Sequence, residues 1–205
     1  YSVTPREHDL GVLQVGDPFL TLNGVDVGNG ISRHQFQCGG SCSAVALPET
    51  GESVTVLREY LHMHRTGARA YMEQIRQNQV IRTGTLDYFS FDQQGNQAVL
   101  QKPYTVFGGD SFNLNCFYES KSQKFGTSSQ EEMCIAFLFY YPKKRINNVF
   151  PWMCPYGRGT FSICDAGWTG ETLSNTTVNE IRTFGHNPEL GLAQCVAPSS
   201  PSVRP

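Results

Sequence analysis

Turn-forming clusters punctuate this chain along most of its length. Asn23-Gly24, Gly28-Asn29-Gly30, Pro48-Glu49-Thr50-Gly51, Gln94-Gly95-Asn96 and Gly108-Gly109-Asp110 fall between short runs rich in β-branched and aromatic residues. Gly and Asn tolerate the positive φ of tight turns and Pro fixes its own φ, so such clusters end regular structure. The runs between them suit half-buried pleated strands better than long helices. The expected fold is all-β, an antiparallel β-sandwich. Strands are predicted at Gly11–Val15, Ser53–Met63, Gly84–Phe89, Asp110–Tyr118 and Cys134–Tyr141. Ala68–Ile81 has a helix-like composition, but the strand-like segment before it and the polar Arg76-Gln77-Asn78-Gln79 patch favour a hairpin. The hydrophobic pattern thins after about Trp168. This predicts a β domain over 1–168 and a partly disordered C-terminal extension over 169–205, ending in the Pro/Ser-rich Ser199–Pro205.

Seven cysteines in 205 residues constrain the compartment. Their mixed spacings among predicted strands read as disulfides of a secreted protein, and the odd number leaves one for a partner outside the chain or a free thiol. Asn175-Thr176-Thr177 is a glycosylation sequon that suits the same compartment. A zinc site built from Cys38, Cys42, Cys154 and Cys164 is the competing reading; it has one close pair and lacks the usual second. The net charge is −2 and no basic block points to nucleic acid; Lys143-Lys144-Arg145 reads as a solvated loop. No apolar run approaches the roughly 20 residues that span a bilayer, so no membrane span is expected. The opening Tyr1-Ser2-Val3 shows no basic or apolar leader, so the chain reads as a mature chain or a cut piece.

The candidate chemistry lies in Leu61-His62-Met63-His64 and in Glu131-Glu132-Met133-Cys134. Strand side chains alternate, so His62 and His64 share a face with Arg58 and Tyr60 while Met63 points into the core. In the later strand Met133, Ile135, Phe137 and Phe139 share one face, and Cys134, Ala136, Leu138 and Tyr140 the other. Two imidazoles and the Met133 thioether would form a soft, open, three-ligand site suited to copper cycling between Cu(I) and Cu(II). A disulfide from Cys134 to Cys116 would close the loop between them, worth about 3 kcal/mol in the chain-entropy model. It would also fix the neighbouring methionine.

At these residues the chain resembles the C-terminal catalytic domain of the copper type II, ascorbate-dependent monooxygenases, the family of dopamine β-hydroxylase, its DBH-like relatives and the peptide-amidating hydroxylases. The resemblance rests on four ordered motifs. They are Arg6-Glu7-His8-Asp9-Leu10-Gly11 as an opening strand, and Phe36-Gln37-Cys38-Gly39-Gly40-Ser41-Cys42 with Ala46-Leu47-Pro48. They continue with Leu61-His62-Met63-His64-Arg65-Thr66-Gly67, and Glu131-Glu132-Met133-Cys134 running into Tyr140-Tyr141-Pro142. It implies a jelly-roll-like sandwich and a copper on His62, His64 and Met133, where dioxygen binds and a substrate C–H bond is hydroxylated, with ascorbate as electron donor. It implies disulfides Cys38–Cys154, Cys116–Cys134 and Cys42–Cys164, with Cys195 as the alternative to Cys164. Cys195 otherwise sits where relatives bond to an N-terminal domain.

Departures from the family pattern narrow the expectation. Nothing here supplies the three-histidine copper of the preceding domain; His8, His34 and His186 are scattered. The chain is then the catalytic half of a two-domain enzyme, inactive alone, or a secreted copper-binding or structural module without catalysis. Tyr60 stands where peptide-amidating relatives have an arginine, and Ile135 and Phe137 where they have asparagine and tyrosine. The strand Leu13-Gln14-Val15 lacks the carboxylate an amine would want. A small, aromatic or weakly charged substrate lying on Tyr60, Ile135 and Phe137 is expected.

Overall fold

In a computed structural model, the described residues are 4–5, 7–18, 22–96, 100, 102–144, 152–155 and 166–173. Ten strands run in the order β1 (Gly11–Gly16), β2 (Asp26–Cys38), β3 (Ser53–His62), β4 (Gly67–Arg76), β5 (Gln79–Leu86), β6 (Tyr104–Phe107), β7 (Ser111–Lys124), β8 (Ile135–Tyr141), β9 (Met153–Pro155) and β10 (Ala166–Thr172). A short helix α1 (Gly40–Ala46) follows β2, and a 3-10 helix spans Phe91–Asn96. All lie within the unit Tyr1–Leu173; the second unit, Ser174–Pro205, falls outside the described residues.

The strands form two five-stranded sheets, β6-β3-β8-β1-β9 and β10-β2-β7-β4-β5, the two layers of a β-sandwich. Alternation decides which residues fill it. Leu13 and Val15 of β1, Val54, Val56 and Leu61 of β3, and Ala136, Leu138 and Tyr140 of β8 are buried from the first sheet. Phe36 of β2, Ala70 and Met72 of β4, and Phe112, Leu114, Cys116 and Tyr118 of β7 are buried from the second. Among the described residues the strands pair antiparallel except β1 with β9, which run parallel.

Among the described residues, two cysteine pairs bond from sheet to sheet. Cys38 at the end of β2 bonds Cys154 in β9. Cys116 in β7 bonds Cys134, one residue before β8. A charged cluster joins the layers at one edge: Arg82 of β5 donates to both carboxylate oxygens of Glu59 on β3, at 2.5 and 2.7 Å, and the Tyr104 hydroxyl donates to the same group at 2.6 Å. A Cβ at Gly84 would lie 2.3 Å from a Glu59 oxygen, so a larger residue would displace that carboxylate.

One local expectation holds, and several others need correction. Ala68–Ile81 is the β4–β5 hairpin, and its turn residues Gln77 and Asn78 take φ of 51° and 62°, the pairing of positive φ that a two-residue hairpin turn needs. The strand expected at Gly84–Phe89 is the end of this hairpin and stops at Leu86. Gly28-Asn29-Gly30 is not a turn: it lies inside β2, where two register shifts absorb the glycines at φ 107° and 83°. Gln94-Gly95-Asn96 closes the 3-10 helix rather than forming a separate turn. The opening strand begins at Gly11, after the irregular residues 7–10.

Candidate metal centre

His62 is the last residue of β3, and His64 follows in the loop to β4. Leu61 and Met63 turn inward, and Met63 is fully buried, a core residue as its position in the alternation requires. Arg58, Tyr60 and His62 pair across β8 with Phe139, Phe137 and Ile135. The result is an aromatic platform on the outer face of the first sheet. The Tyr60 ring stacks on His62 at 6.0 Å and lies 5.9 Å from Phe137, and the Arg58 guanidinium sits 5.7 Å over Phe139. Val12 and Gln14 of β1 border it, opposite Phe139 and Phe137. No carboxylate stands on this face among the described strand residues of β1, β3 and β8.

The two imidazoles meet with centroids 5.1 Å apart and planes at 81°. Each Nδ1 is engaged. His64 Nδ1 donates to the Glu131 carbonyl at 2.8 Å, and His62 Nδ1 to the Gln94 side-chain oxygen at 2.6 Å. A neutral imidazole that donates from Nδ1 keeps its Nε2 lone pair for a ligand. Burial lowers the His62 pKa; the Gln94 hydrogen bond works against that shift and the neighbouring His64 adds to it. His62 is thus held toward the neutral form that a metal ligand needs.

Glu132 ties the histidine loop to the methionine segment. It is 1% exposed and accepts from the Thr66 amide at 2.6 Å, the Thr66 hydroxyl at 2.8 Å and the His64 amide at 2.9 Å. Its pKa is raised by burial, against those hydrogen bonds. Two motif residues are explained here. Thr66 supplies two of the three donors, and Gly67 admits the chain past Met63, whose Cβ would lie 2.6 Å from any added Cβ.

Met133 is held through its neighbours. Cys134 is bonded to Cys116, Glu132 makes the contacts above, and the Met133 carbonyl accepts from the Tyr118 hydroxyl at 2.6 Å. The β3–β8 pairs end at His62–Ile135; His64 and half-buried Met133 each follow two residues beyond that last pair. Two imidazole nitrogens and a thioether are a donor set that suits copper in its Cu(I) and Cu(II) states. Gln94 has no signal in the local sequence, and Glu132 stands in the methionine motif with nothing to mark its role; they act on histidines 32 and 68 residues away.

The remaining expected residues divide. Cys42 is disulfide-bonded and lies 3.2 Å from the Cys154 sulfur; Cys38, Cys42 and Cys154 form a buried sulfur cluster. With Cys38 and Cys154 bonded to each other, the cluster is that of disulfides rather than thiolates for zinc. Cys164, Cys195, Asn175 and His186 lie outside the described residues. His34 is buried, donates to the Val27 carbonyl at 2.8 Å and stacks on Trp168; His8 stacks on Tyr141. No helix among the described residues is long and apolar enough to cross a membrane.

Comparison with known proteins places the chain in a family. A family model described as "Copper type II ascorbate-dependent monooxygenase, C-terminal domain" matches residues 9–154. MOXD1 homolog 1 of Drosophila melanogaster is 29% identical over 160 residues, 73% of this chain and 22% of that protein. Human DBH-like monooxygenase protein 1 is 27% identical over 153 residues, 70% of this chain and 24% of that protein. Dopamine beta-hydroxylase of Canis lupus familiaris is 23% identical over 150 residues, 71% and 24%. The chain spans about a quarter of the length of these relatives.

Proposed function

The chain belongs to the copper type II ascorbate-dependent monooxygenase family, and from that premise we propose that it forms the oxygen-binding copper domain of a secreted monooxygenase that hydroxylates a C–H bond of a small aromatic substrate. The carrying observation is the histidine pair: two rings 5.1 Å apart, each with Nδ1 bound to an oxygen acceptor and Nε2 left for a ligand. His62, His64 and Met133 would hold the copper, which supplies dioxygen binding and one-electron chemistry at this edge.

The chain's own groups do the rest. Gln94 and the Glu131 carbonyl fix the two rings. Glu132 holds the loop between His64 and Thr66. Tyr60 and Phe137 offer a half-buried aromatic surface beside His62, with Ile135 buried next to them, which favours an aromatic substrate. Interchain or interdomain tethering through Cys195 would bring a second copper-bearing unit that passes on electrons from ascorbate. Disulfides support a secretory compartment.

Metal analysis with Cu(I) titration and X-ray absorption on the purified chain tests the site. The expected result is one copper with two nitrogen ligands and one sulfur. His62→Ala should abolish binding, and Met133→Ile should weaken Cu(I) while the fold persists, since the side chains are similar in volume. Copper bound without sulfur, or Cu(I) affinity unchanged in the Met133 variant, removes Met133 from the ligand set.

A further inference from the structure

We infer that the helical turn Phe91–Gln94 is the positioning element of the metal centre, with Gln94 the residue that reserves His62 Nε2 for the metal. The inference rests on the copper reading above. The two histidines are secured by unlike means. His64 Nδ1 is held by a backbone carbonyl, that of Glu131, which side-chain substitution at residue 131 does not remove. His62 Nδ1 is held by a side-chain amide, 32 residues on in sequence.

That amide sits on a 3-10 helix whose residues at i and i+3 eclipse one another. Phe91 and Gln94 are such a pair. Phe91 sets its ring at 81° to the His64 ring, with centroids 5.6 Å apart, and the Arg65 guanidinium caps Phe91 at 5.1 Å. One short turn therefore touches both ligand rings, and the loop that carries His64 returns to grip it through Arg65.

The chemistry assigns the direction of the proton. A neutral imidazole has one N–H, and an amide oxygen can only accept. With Gln94 Oε1 at 2.6 Å, the proton is placed on Nδ1 and the Nε2 lone pair is exposed before any metal arrives. Without Gln94 the ring is free to rotate and to take the other tautomer, which has no lone pair at Nε2. A neutral amide also does this without adding charge to a site already flanked by the buried Glu132.

The test uses the whole chain, first metal-free and then with Cu(I). Nitrogen-15 chemical shifts of labelled histidine should show His62 as the Nδ1–H tautomer in the unmodified chain. Gln94→Leu should lose that preference, and Gln94→Glu, which restores an oxygen acceptor, should regain it. Competition with a chromogenic Cu(I) chelator should then show about 10–100-fold weaker binding for Gln94→Leu. Gln94→Glu should bind at least as tightly as the unmodified chain. A His62 Nε2–H tautomer in the unmodified chain overturns the inference, as does unchanged tautomer and affinity in Gln94→Leu. If the unmodified chain takes up no Cu(I), the copper reading itself fails and the inference falls with it.

Discussion

Two buried carboxylates perform the same task at different places in the sandwich, and opposite forces decide their protonation. Asp110 and Glu132 are each 1% exposed, and each pins a loop through amide donors. Asp110 accepts from Gln74 at 2.7 Å, from Arg76 at 2.7 and 2.8 Å, and from the Phe107 amide at 2.9 Å. Burial pushes its pKa up, but the Arg76, Phe107 and Gln74 hydrogen bonds outweigh it and leave the group below its ordinary value. Glu132 has only the Thr66 and His64 donors, all uncharged, and burial wins. Where the fold only needs holding, an arginine is used. Beside the histidine loop, neutral donors alone hold the carboxylate.

The sharpest way to break this contrast is Asp110→Ala. It strips partners from a buried amide and from Arg76, whose side chain is partly exposed and can recover some solvation. The expected cost is about 3 kcal/mol of folding stability in urea denaturation, with Cu(I) affinity unchanged. A parallel loss of copper affinity would show that the two ends are not independent. Glu132→Gln should behave the other way. One amide donor now faces a backbone N–H, so stability falls by about 1 kcal/mol, yet Cu(I) affinity falls about tenfold because the histidine loop slackens. Equal Cu(I) affinity in that variant would reduce Glu132 to a purely structural role.

The smallest effect is in acid. The Asp110 pKa is lower folded than unfolded, so its contribution is full above the unfolded value, about 3.9. It is lost as pH falls through the lower folded value. Stability measured downward from about pH 5 should fall less steeply in Asp110→Asn than in the unmodified chain. The same slope in both would assign acid sensitivity to other carboxylates.

The legible parts of the fold are those where period-2 alternation is clean. β8 reads directly, with Ala136, Leu138 and Tyr140 inward and Phe137 and Phe139 outward, and so does the shared face of Tyr60 and His62. β2 does not read this way. Its glycines imitate a turn, and its inward positions include the polar Ser32 and His34. Helix α1 is seven residues of mostly small side chains, entered from Gly39 with no side-chain cap, so neither propensity nor capping announces it. In the candidate metal centre, His62 and His64 stand out by their i, i+2 spacing and Met133 by the motif around it. The roles of Gln94 and Glu132 are not legible, because each acts on a partner 32 or more residues away.

The Cys116–Cys134 bond lies between the two layers and one residue from Met133. Its consequence concerns the order of events during maturation. Until those two thiols are oxidised, the segment bearing the thioether has no covalent tie to the opposite layer. On the copper reading, the thioether would then rest on hydrogen bonds alone, those of Glu132 and of the Tyr118 hydroxyl. Oxidation of the two thiols would add the covalent tie, so the third donor would be fully placed only after the oxidant has acted.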